Sequence, residues 1–474
     1  MKRENRQKNN KIYLTMFCFF TAFLLMSVYF VYYNLTNQSD LFNNNYNSRQ
    51  ELLAEQNIRG SIYSADGEKL AYTVLLEDGT EKREYPFAEI FSHVVGYVDY
   101  GKSGIEAYAN FDLSRSSMSL NNKVANSIAD TKHAGDDVYT TFDSKIQQIA
   151  DKAMGVYDGA IIVSEVKTGR ILAMVSKPGY DPNNIKKLFN ELSEDEESSV
   201  LLNRATQGLY PPGSIFKIVT SLEYLRENNN DLSKYSYICN GSYALGNTKV
   251  SCFNHTVHGY QTYINSVTNS CNCSFANIGV GLNLDSFANT LDKLLFNEEL
   301  PIILPSSVGS YDLVGDGTED AIIQSSFGQG KTIVTPLLMN MITCSIANEG
   351  VVMEPMVIDS VKAADGTVVK KYSSTAYKRL MKSEEAQILK DLMVQVVQVG
   401  TASKLKGLSY SVAGKTGSAE YDSSKVFSHS WFTGFAPAED PEIAVTIIME
   451  QAGTGSSYAV PAAKRIFDAY FNVE

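Results

Sequence analysis

A serine hydroxyl is a weak nucleophile until a base sits beside it. One stretch of this chain offers that pair at helical spacing, Tyr210-Pro211-Pro212-Gly213-Ser214-Ile215-Phe216-Lys217. Pro and Gly break the chain there, and Ile215, Phe216, Ile218, Val219, Leu222 and Leu225 then recur with helical period. Residues three apart share a helix face, so the Lys217 amine can reach the Ser214 hydroxyl. A serine that opens a helix also has a free backbone N–H with which to hold an oxyanion. The chemistry such a pair could do is nucleophilic attack by serine with a covalent intermediate.

The S-x-x-K pattern alone carries little weight, since about two matches arise by chance in a chain of this length. Ser164 and Lys167 end a strand-like run, where positions three apart point opposite ways, and Ser403 and Lys406 lie in a polar, glycine-flanked segment. Two further motifs follow Ser214 in order. Ser270-Cys271-Asn272 supplies a hydroxyl that can relay a proton and an amide that can bind a substrate backbone. Lys415-Thr416-Gly417 supplies a cation and a hydroxyl for a carboxylate, with Gly414 and Gly417 allowing close approach. Ser119-Leu120-Asn121 and Lys167-Thr168-Gly169 mimic these motifs but fall in the wrong order or in a hairpin turn.

The ordered set S-x-x-K, S-x-N, K-T-G resembles the penicillin-binding proteins. Arg59-Gly60, Asp66-Gly67, Gly104-Ile105-Glu106, Thr141-Phe142-Asp143, Phe327-Gly328-Gln329-Gly330, Thr335-Pro336-Leu337 and Ala347-Asn348-Glu349-Gly350 extend the likeness along most of the chain. They are similar to the class B, monofunctional branch, and residues 34–134 are too few for the glycosyltransferase domain of class A. The resemblance implies a peptidoglycan D,D-transpeptidase that is acylated by β-lactams, with catalytic Ser214, Lys217, Ser270 and Lys415. Asn272, Thr416, Gly417 and Ser418 would bind substrate, the Ser418 N–H as second oxyanion donor. D-Ala-D-Ala stem peptides are the implied substrate, and a membrane glycan polymerase the implied partner. Cys271 stands where the family's middle motif often has Asp. That central side chain is not the one expected to touch substrate.

Neighbouring readings on the same fold are a D,D-carboxypeptidase and a β-lactam-hydrolysing or sensing protein. A class A lactamase needs a glutamate in E-x-x-L-N after the middle motif, and no such string follows Asn272. A scaffold with an inactive transpeptidase fold would lack catalytic side chains that this chain has. Nucleotide binding fails on spacing. Gly330-Lys331-Thr332 and Gly414-Lys415-Thr416 echo a phosphate loop, but the glycine required five residues earlier is Ser325 or Ser409.

The elements that must position these groups belong to an α+β domain. Asp143 to Met154 has helical spacing with Asp143 or Ser144 as N-cap. Gly159–Val163 and Arg170–Val175 read as a hairpin, Tyr410–Thr416, Ser430–Phe435 and Glu442–Met449 as strands, and Pro461–Phe471 as an amphipathic helix. Strands at both ends with helices between imply an antiparallel sheet completed by the two ends of the domain. Ahead of it a hairpin spans Ile58–Tyr63 and Lys69–Val74, and the Ser- and Asn-rich stretch Ser114–Asp130 reads as a loop or linker.

Ile12 to Tyr33 carries no charge and no proline and is long enough for a membrane-spanning helix. Lys2, Arg3, Arg6, Lys8 and Lys11 precede it, and Asn34–Asp40 carry no positive charge, so the N-terminus should stay in the cytoplasm. The run ends in Val31-Tyr32-Tyr33 rather than in the small residues of a cleavage site. The expected plan is a tail at 1–11, a single span at 12–33, a small extracytoplasmic module at 34–134 and a transpeptidase domain at 135–474. A net charge of −12 disfavours nucleic acid. The six cysteines and five histidines show neither C-x-x-C nor H-E-x-x-H spacing, so no metal or cofactor is implied. An exported location lets Cys239 pair with Cys252; otherwise both are small buried residues, as Cys344 is expected to be.

Overall fold

The computed structural model describes residues 2–36, 49–129, 131–192, 198–315, 319–420 and 428–472. Its central sheet has five antiparallel strands in the order Ala413–Glu420, Ser428–Ala436, Ile443–Met449, Gly159–Glu165 and Ile171–Lys177. The first and last parts of the domain therefore meet in one sheet, as the strand pattern predicted. Ile443-Ala444-Val445-Thr446-Ile447-Ile448-Met449 is buried at every position, which fits a strand covered on both faces rather than an alternating one.

One face is covered by the helices Ser144–Met154 and Ala459–Tyr470, which pack on each other. Asp143 caps the first, accepting from the N–H groups of Lys145 and Ile146. The other face holds Pro336–Ala347, buried along its whole length, with Thr335 as its N-cap. Beyond it lie Lys217–Glu227 and Ser383–Val399. Lys415 lies on an edge strand: Ala413–Glu420 pairs with Ser428–Ala436 on one side, and its other side faces the helical layer.

A second sheet runs Val368–Lys371, Ile358–Lys362, Asp137–Thr140, Ile62–Tyr63, Lys69–Leu75, Glu81–Glu84. It draws strands from both sides of residue 134. The Asp66 carboxylate at the hairpin turn accepts from Ser144 N at 2.9 Å and Ser144 Oγ at 2.6 Å, tying the hairpin to the start of a helix of the larger unit. Glu106, wholly buried, takes Arg59 at 2.6 Å and Arg83 at 2.8 Å. A buried carboxylate is tolerated only when paired in this way.

Three expectations need correction. Of the expected hairpin strand Ile58–Tyr63 only Ile62–Tyr63 pairs with Lys69–Leu75, while Asn57–Ile58 pairs in parallel with His133–Ala134. Ser114–Asp130 is not all loop: Leu120–Ile128 is helical, Ser119 accepting from Asn122 N as N-cap, and Asp130 lies outside the described residues. Leu120, Val124 and Ile128 recur four apart, a pattern masked by the surrounding Ser and Asn. The Lys415 strand begins at Ala413 rather than Tyr410 and continues to Glu420. The apolar N-terminal run is one helix, Lys2–Thr36, whose Asn10–Tyr33 segment is long and apolar enough to cross a membrane. It extends past the expected end at Tyr33, and residues 37–40 lie outside the described residues.

Candidate active site

Ser214 lies in a tight 3-10 turn, Gly213–Phe216, that leads directly into the helix Lys217–Glu227. With three residues per turn, positions 214 and 217 eclipse, so the shared face inferred from α-helical spacing is reached by a tighter winding. Ser214 is the second residue of this turn, so its N–H is among the first ones, which lack an acceptor within the helix. Gly213 has φ +55, and its N–H donates to Gly328 O at 2.7 Å. A Cβ on Gly328 would stand 2.1 Å from Gly213 O, which is why the Phe327-Gly328-Gln329-Gly330 segment can lie this close. Trp431 Nε1 donates to Pro211 O at 3.1 Å, and Tyr210 donates to Glu450 at 2.7 Å, a carboxylate that also takes Arg204 at 2.8 Å. The approach to the serine is thereby fixed against the central sheet. Ser214 stays partly exposed while Gly213, Ile215, Phe216 and Lys217 are buried.

Lys217 Nζ donates to Ser270 O at 2.7 Å, Ser270 Oγ at 3.2 Å and Asn272 Oδ1 at 2.7 Å. Lys415 Nζ donates to the same Ser270 Oγ at 2.9 Å and to Thr416 O at 2.9 Å. One hydroxyl therefore bridges two buried amines from distant parts of the chain. Among the described residues no hydrogen bond joins Lys217 Nζ to Ser214 Oγ; the amine is turned toward the middle motif. Ser270 has φ +52, a left-handed backbone that costs a non-glycine residue about 1–3 kcal/mol. The next residue, Cys271, caps the helix Asn272–Gly281, its Sγ accepting from Ser274 N.

Burial drives the electrostatics. It pushes Lys217 down to about 8, with Cys271, Cys252 and Cys273 pulling it partly back up. Burial also pushes Lys415 well below the ordinary lysine range, and the charge of Lys217 pushes in the same direction. Two ammonium groups sharing one hydroxyl inside a protein disfavour each other, which favours the neutral form of one of them.

Along the edge strand, Lys415, Gly417 and Ala419 share a face, and that face lies against the serine turn. A Cβ on Gly417 would stand 3.2 Å from Ile215 Cγ2, and one on Gly213 would stand 3.0 Å from Ala419 Cβ. Ser214, Lys217, Ser270, Asn272, Lys415, Thr416, Gly417 and Ser418 are thus drawn together from three segments. Asn272 is more occupied than expected: its oxygen accepts from Lys217, and its nitrogen donates to Ser251 O at 3.1 Å, leaving one amide hydrogen for a substrate.

Several contributors escaped the sequence. Thr401 Oγ1 lies 2.5 Å from Thr416 Oγ1, fixing the hydroxyl of the K-T-G motif. Gln329, with its amide nitrogen toward Glu420 O, donates to that oxygen and accepts from Glu420 N, both at 3.1 Å, which holds the end of the edge strand. Nothing in Gly400-Thr401-Ala402 announces such a role. Trp431, the sole tryptophan, was inside an expected strand but had no assigned partner. The other S-x-x-K pairs sit elsewhere. Ser164 Oγ bonds Asn340 inside the fold, Lys167 pairs with Asp440 at the surface, and Ser403 starts a short 3-10 turn. Cys239 and Cys252 are buried with Sγ atoms 3.7 Å apart, beyond a disulfide bond's ~2.05 Å.

The chain is similar to known proteins along most of its length. Residues 159–468 match the family described as penicillin binding protein transpeptidase domain, and residues 59–138 match the penicillin binding protein A dimerisation domain. The peptidoglycan D,D-transpeptidase PbpA of Mycolicibacterium smegmatis is 29% identical over 434 residues, covering 86% of this chain and 87% of the relative. The D,D-transpeptidase domain of a peptidoglycan glycosyltransferase from Eggerthella lenta superposes with a TM-score of 0.79 at 32% identity, covering 88% of this chain and 99% of that one. Penicillin-binding protein A from M. tuberculosis, solved as its penicillin G acyl-enzyme complex, gives 0.79 at 25% identity, covering 88% and 100%. With the three motifs drawn together, the sheet completed by both ends of the domain, and a family match over most of its length, this chain belongs to the penicillin-binding protein transpeptidases, in their class B branch.

Proposed function

We propose that this chain is a serine D,D-transpeptidase that cross-links peptidoglycan stem peptides and is acylated by β-lactams. The observation that carries the reading is the Ser270 hydroxyl held by both Lys217 and Lys415, on the face of the edge strand that packs against the Ser214 turn. Neutral Lys217 takes the proton of Ser214 as its Oγ attacks the carbonyl of the penultimate D-Ala. The N–H groups of Ser214 and Ser418 hold the developing oxyanion. Ser270 passes the proton to the departing D-Ala amine. The amine of a neighbouring stem then takes the acyl group, and Ser214 Oγ recovers its proton.

Substrate adds beside the edge of Ala413–Glu420 opposite Ser428–Ala436, in the manner of an extra strand, while the missing side chain of Gly417 lets Ala413–Glu420 pack on the serine turn. Lys415 and Thr416 hold the terminal carboxylate of the donor. That carboxylate restores full charge to Lys415 and leaves Lys217 as the neutral partner. A β-lactam carboxylate fits the same place. Asn272 supplies its remaining amide hydrogen to the substrate backbone.

The apolar helix is read as a single membrane anchor with the N-terminus in the cytoplasm and residues 34–134 and 135–474 outside, supported by the basic residues ahead of Ile12. The module at 34–134 and the anchor are read as the docking elements for a membrane glycan polymerase. The function is tested by supplying a stem pentapeptide with and without an amine acceptor. Release of D-Ala with transfer to the acceptor is expected. Release to water alone, with the acceptor ignored, would make the chain a carboxypeptidase instead.

A further inference from the structure

Four of the six cysteines converge where no spacing rule anticipated it. Cys239 ends the strand Ser236–Cys239, Cys252 follows Thr248–Ser251, His258 precedes Gly259–Thr262, and Cys271 caps the helix Asn272–Gly281. The Sγ atoms of Cys239, Cys252 and Cys271 and a ring nitrogen of His258 all lie within 4.8 Å of one another. Cys239 Sγ is 3.7 Å from Cys252 Sγ and 3.5 Å from His258 Nδ1, and Cys252 Sγ is 3.6 Å from Cys271 Sγ. Zinc bonds of ~2.3 Å to sulfur and ~2.0 Å to nitrogen at tetrahedral angles require sulfur pairs about 3.8 Å apart and a sulfur–nitrogen distance of about 3.5 Å. These three separations meet both, and the remaining pairs lie within 4.8 Å.

We propose that Cys239, Cys252, His258 and Cys271 form a closed structural site for a zinc ion. Three thiolates and an imidazole are the donor set that selects zinc over the harder cations. Two alternatives fit less well. Small buried thiols packed as hydrophobes account for an imidazole nitrogen 3.5 Å from Cys239 Sγ only by a weak S–H···N contact, and not for three sulfurs gathered round it. A disulfide needs the sulfurs to close to ~2.05 Å, and it would leave the remaining thiols and the histidine with no partner of their kind. The lobe itself calls for a staple. It consists of two two-stranded pairings, 236–239 with 259–262 and 242–245 with 248–251, and Ile238, Phe253, Val257 and Tyr260 are exposed on it. Isolated two-strand units have little stability of their own, and a metal joining four elements supplies what a core does not. The Ser274 N–H that bonds Cys271 Sγ is the kind of outer contact that steadies a thiolate ligand.

The site reaches the chemistry through one residue. Cys271 is the central position of Ser270-Cys271-Asn272, and both its neighbours bond Lys217. Zinc held by Cys271 fixes the left-handed turn at Ser270 and the Asn272 side chain without touching substrate, so Cys271 is a positioning residue. Zinc binding is independent of the acyl-transfer reading; only its effect on acylation rests on that reading. Cys273, whose Sγ lies 3.4 Å from Cys252 Sγ, stands outside the set of four.

The test is metal analysis of the full chain purified in detergent under reducing conditions, with cobalt(II) exchange as a second readout. One zinc per chain is expected, with cobalt giving the visible absorption of a tetrahedral thiolate site. Cys239→Ser and Cys252→Ser should lose both signals, and Cys273→Ser should keep both. Chelation should slow penicillin acylation by about tenfold or more, with recovery on adding zinc. A chain free of zinc whose thiols all react freely and give no cobalt–thiolate absorption would overturn the site, as would a Cys239–Cys252 disulfide in the mature protein. Bound zinc in a chain that penicillin fails to acylate would leave the metal site standing and count against the transpeptidase reading alone.

Discussion

Lys415 Nζ donates to Ser270 Oγ across 2.9 Å, joining residues 145 positions apart in the chain. With Lys217 on the same hydroxyl at 3.2 Å, two amines meet at one serine, the route proposed for the proton that Ser214 gives up.

The pH dependence follows from Lys217. Its ammonium is pushed down to about 8 by burial, and the neutral form is the proposed base. Acylation should therefore rise with pH through about 8 and fall about tenfold per unit below it. Stopped-flow acylation by a chromogenic cephalosporin between pH 6 and 10 reads this directly. Lys217→Met keeps length and burial but removes the amine, and should lower the rate by about 10²–10⁴-fold while leaving the fold intact. A variant as fast as the parent would remove Lys217 from the mechanism.

Thr401 is expected to matter through Thr416. Thr401→Val deletes the hydroxyl 2.5 Å from Thr416 Oγ1 and should cost about 0.5–1.5 kcal/mol of stability. Freed to rotate, Thr416 should hold a carboxylate less well. The loss should then appear in the concentration dependence of acylation rather than in its limiting rate.

How far the sequence reached depends on what each feature asks of it. That Ser214, Lys217, Ser270 and Lys415 would lie together was legible from the order of the three motifs, with helix geometry and strand alternation setting the Ser214 S-x-x-K apart from its two decoys. The hairpin at Lys167-Thr168-Gly169 and the Asp143 cap were legible because local rules govern them. The Thr401–Thr416 and Trp431–Pro211 contacts were not, since each joins side chains brought close only by the packed domain. The convergence of Cys239, Cys252, His258 and Cys271 was hidden in the same way, with each residue on a different element. Leu120–Ile128 was missed because a polar composition outweighed its three apolar positions.

The close approach of Gly328 to Gly213 is expected to be intolerant of any side chain. Gly328 has φ +77, and an added Cβ would stand 2.1 Å from Gly213 O. Gly328→Ala should destabilise the domain by about 1–3 kcal/mol and displace the serine turn, lowering acylation more than melting temperature alone would suggest. Calorimetry paired with acylation rates at a temperature well below the melting point separates the two effects.

Glu106 controls the acid limit of the N-terminal unit. Burial alone would raise its pKa, but the guanidinium groups of Arg59 and Arg83 outweigh that and hold it below the usual value. A carboxyl lowered on folding contributes stability that is present above its unfolded pKa and lost as pH falls through the folded one. Glu106→Gln should cost about 3–5 kcal/mol at neutral pH, because two buried guanidiniums lose their counter-charge. The difference from the parent should shrink in acid denaturation curves as pH drops below the carboxylate range.

The most direct measurement is the position of the penicillin adduct. Intact-mass and peptide mapping of the acylated chain should find one penicilloyl group, on Ser214, absent from Ser214→Ala and retained in Ser164→Ala and Ser403→Ala. An adduct on any other serine, or one that persists in Ser214→Ala, would contradict the assignment.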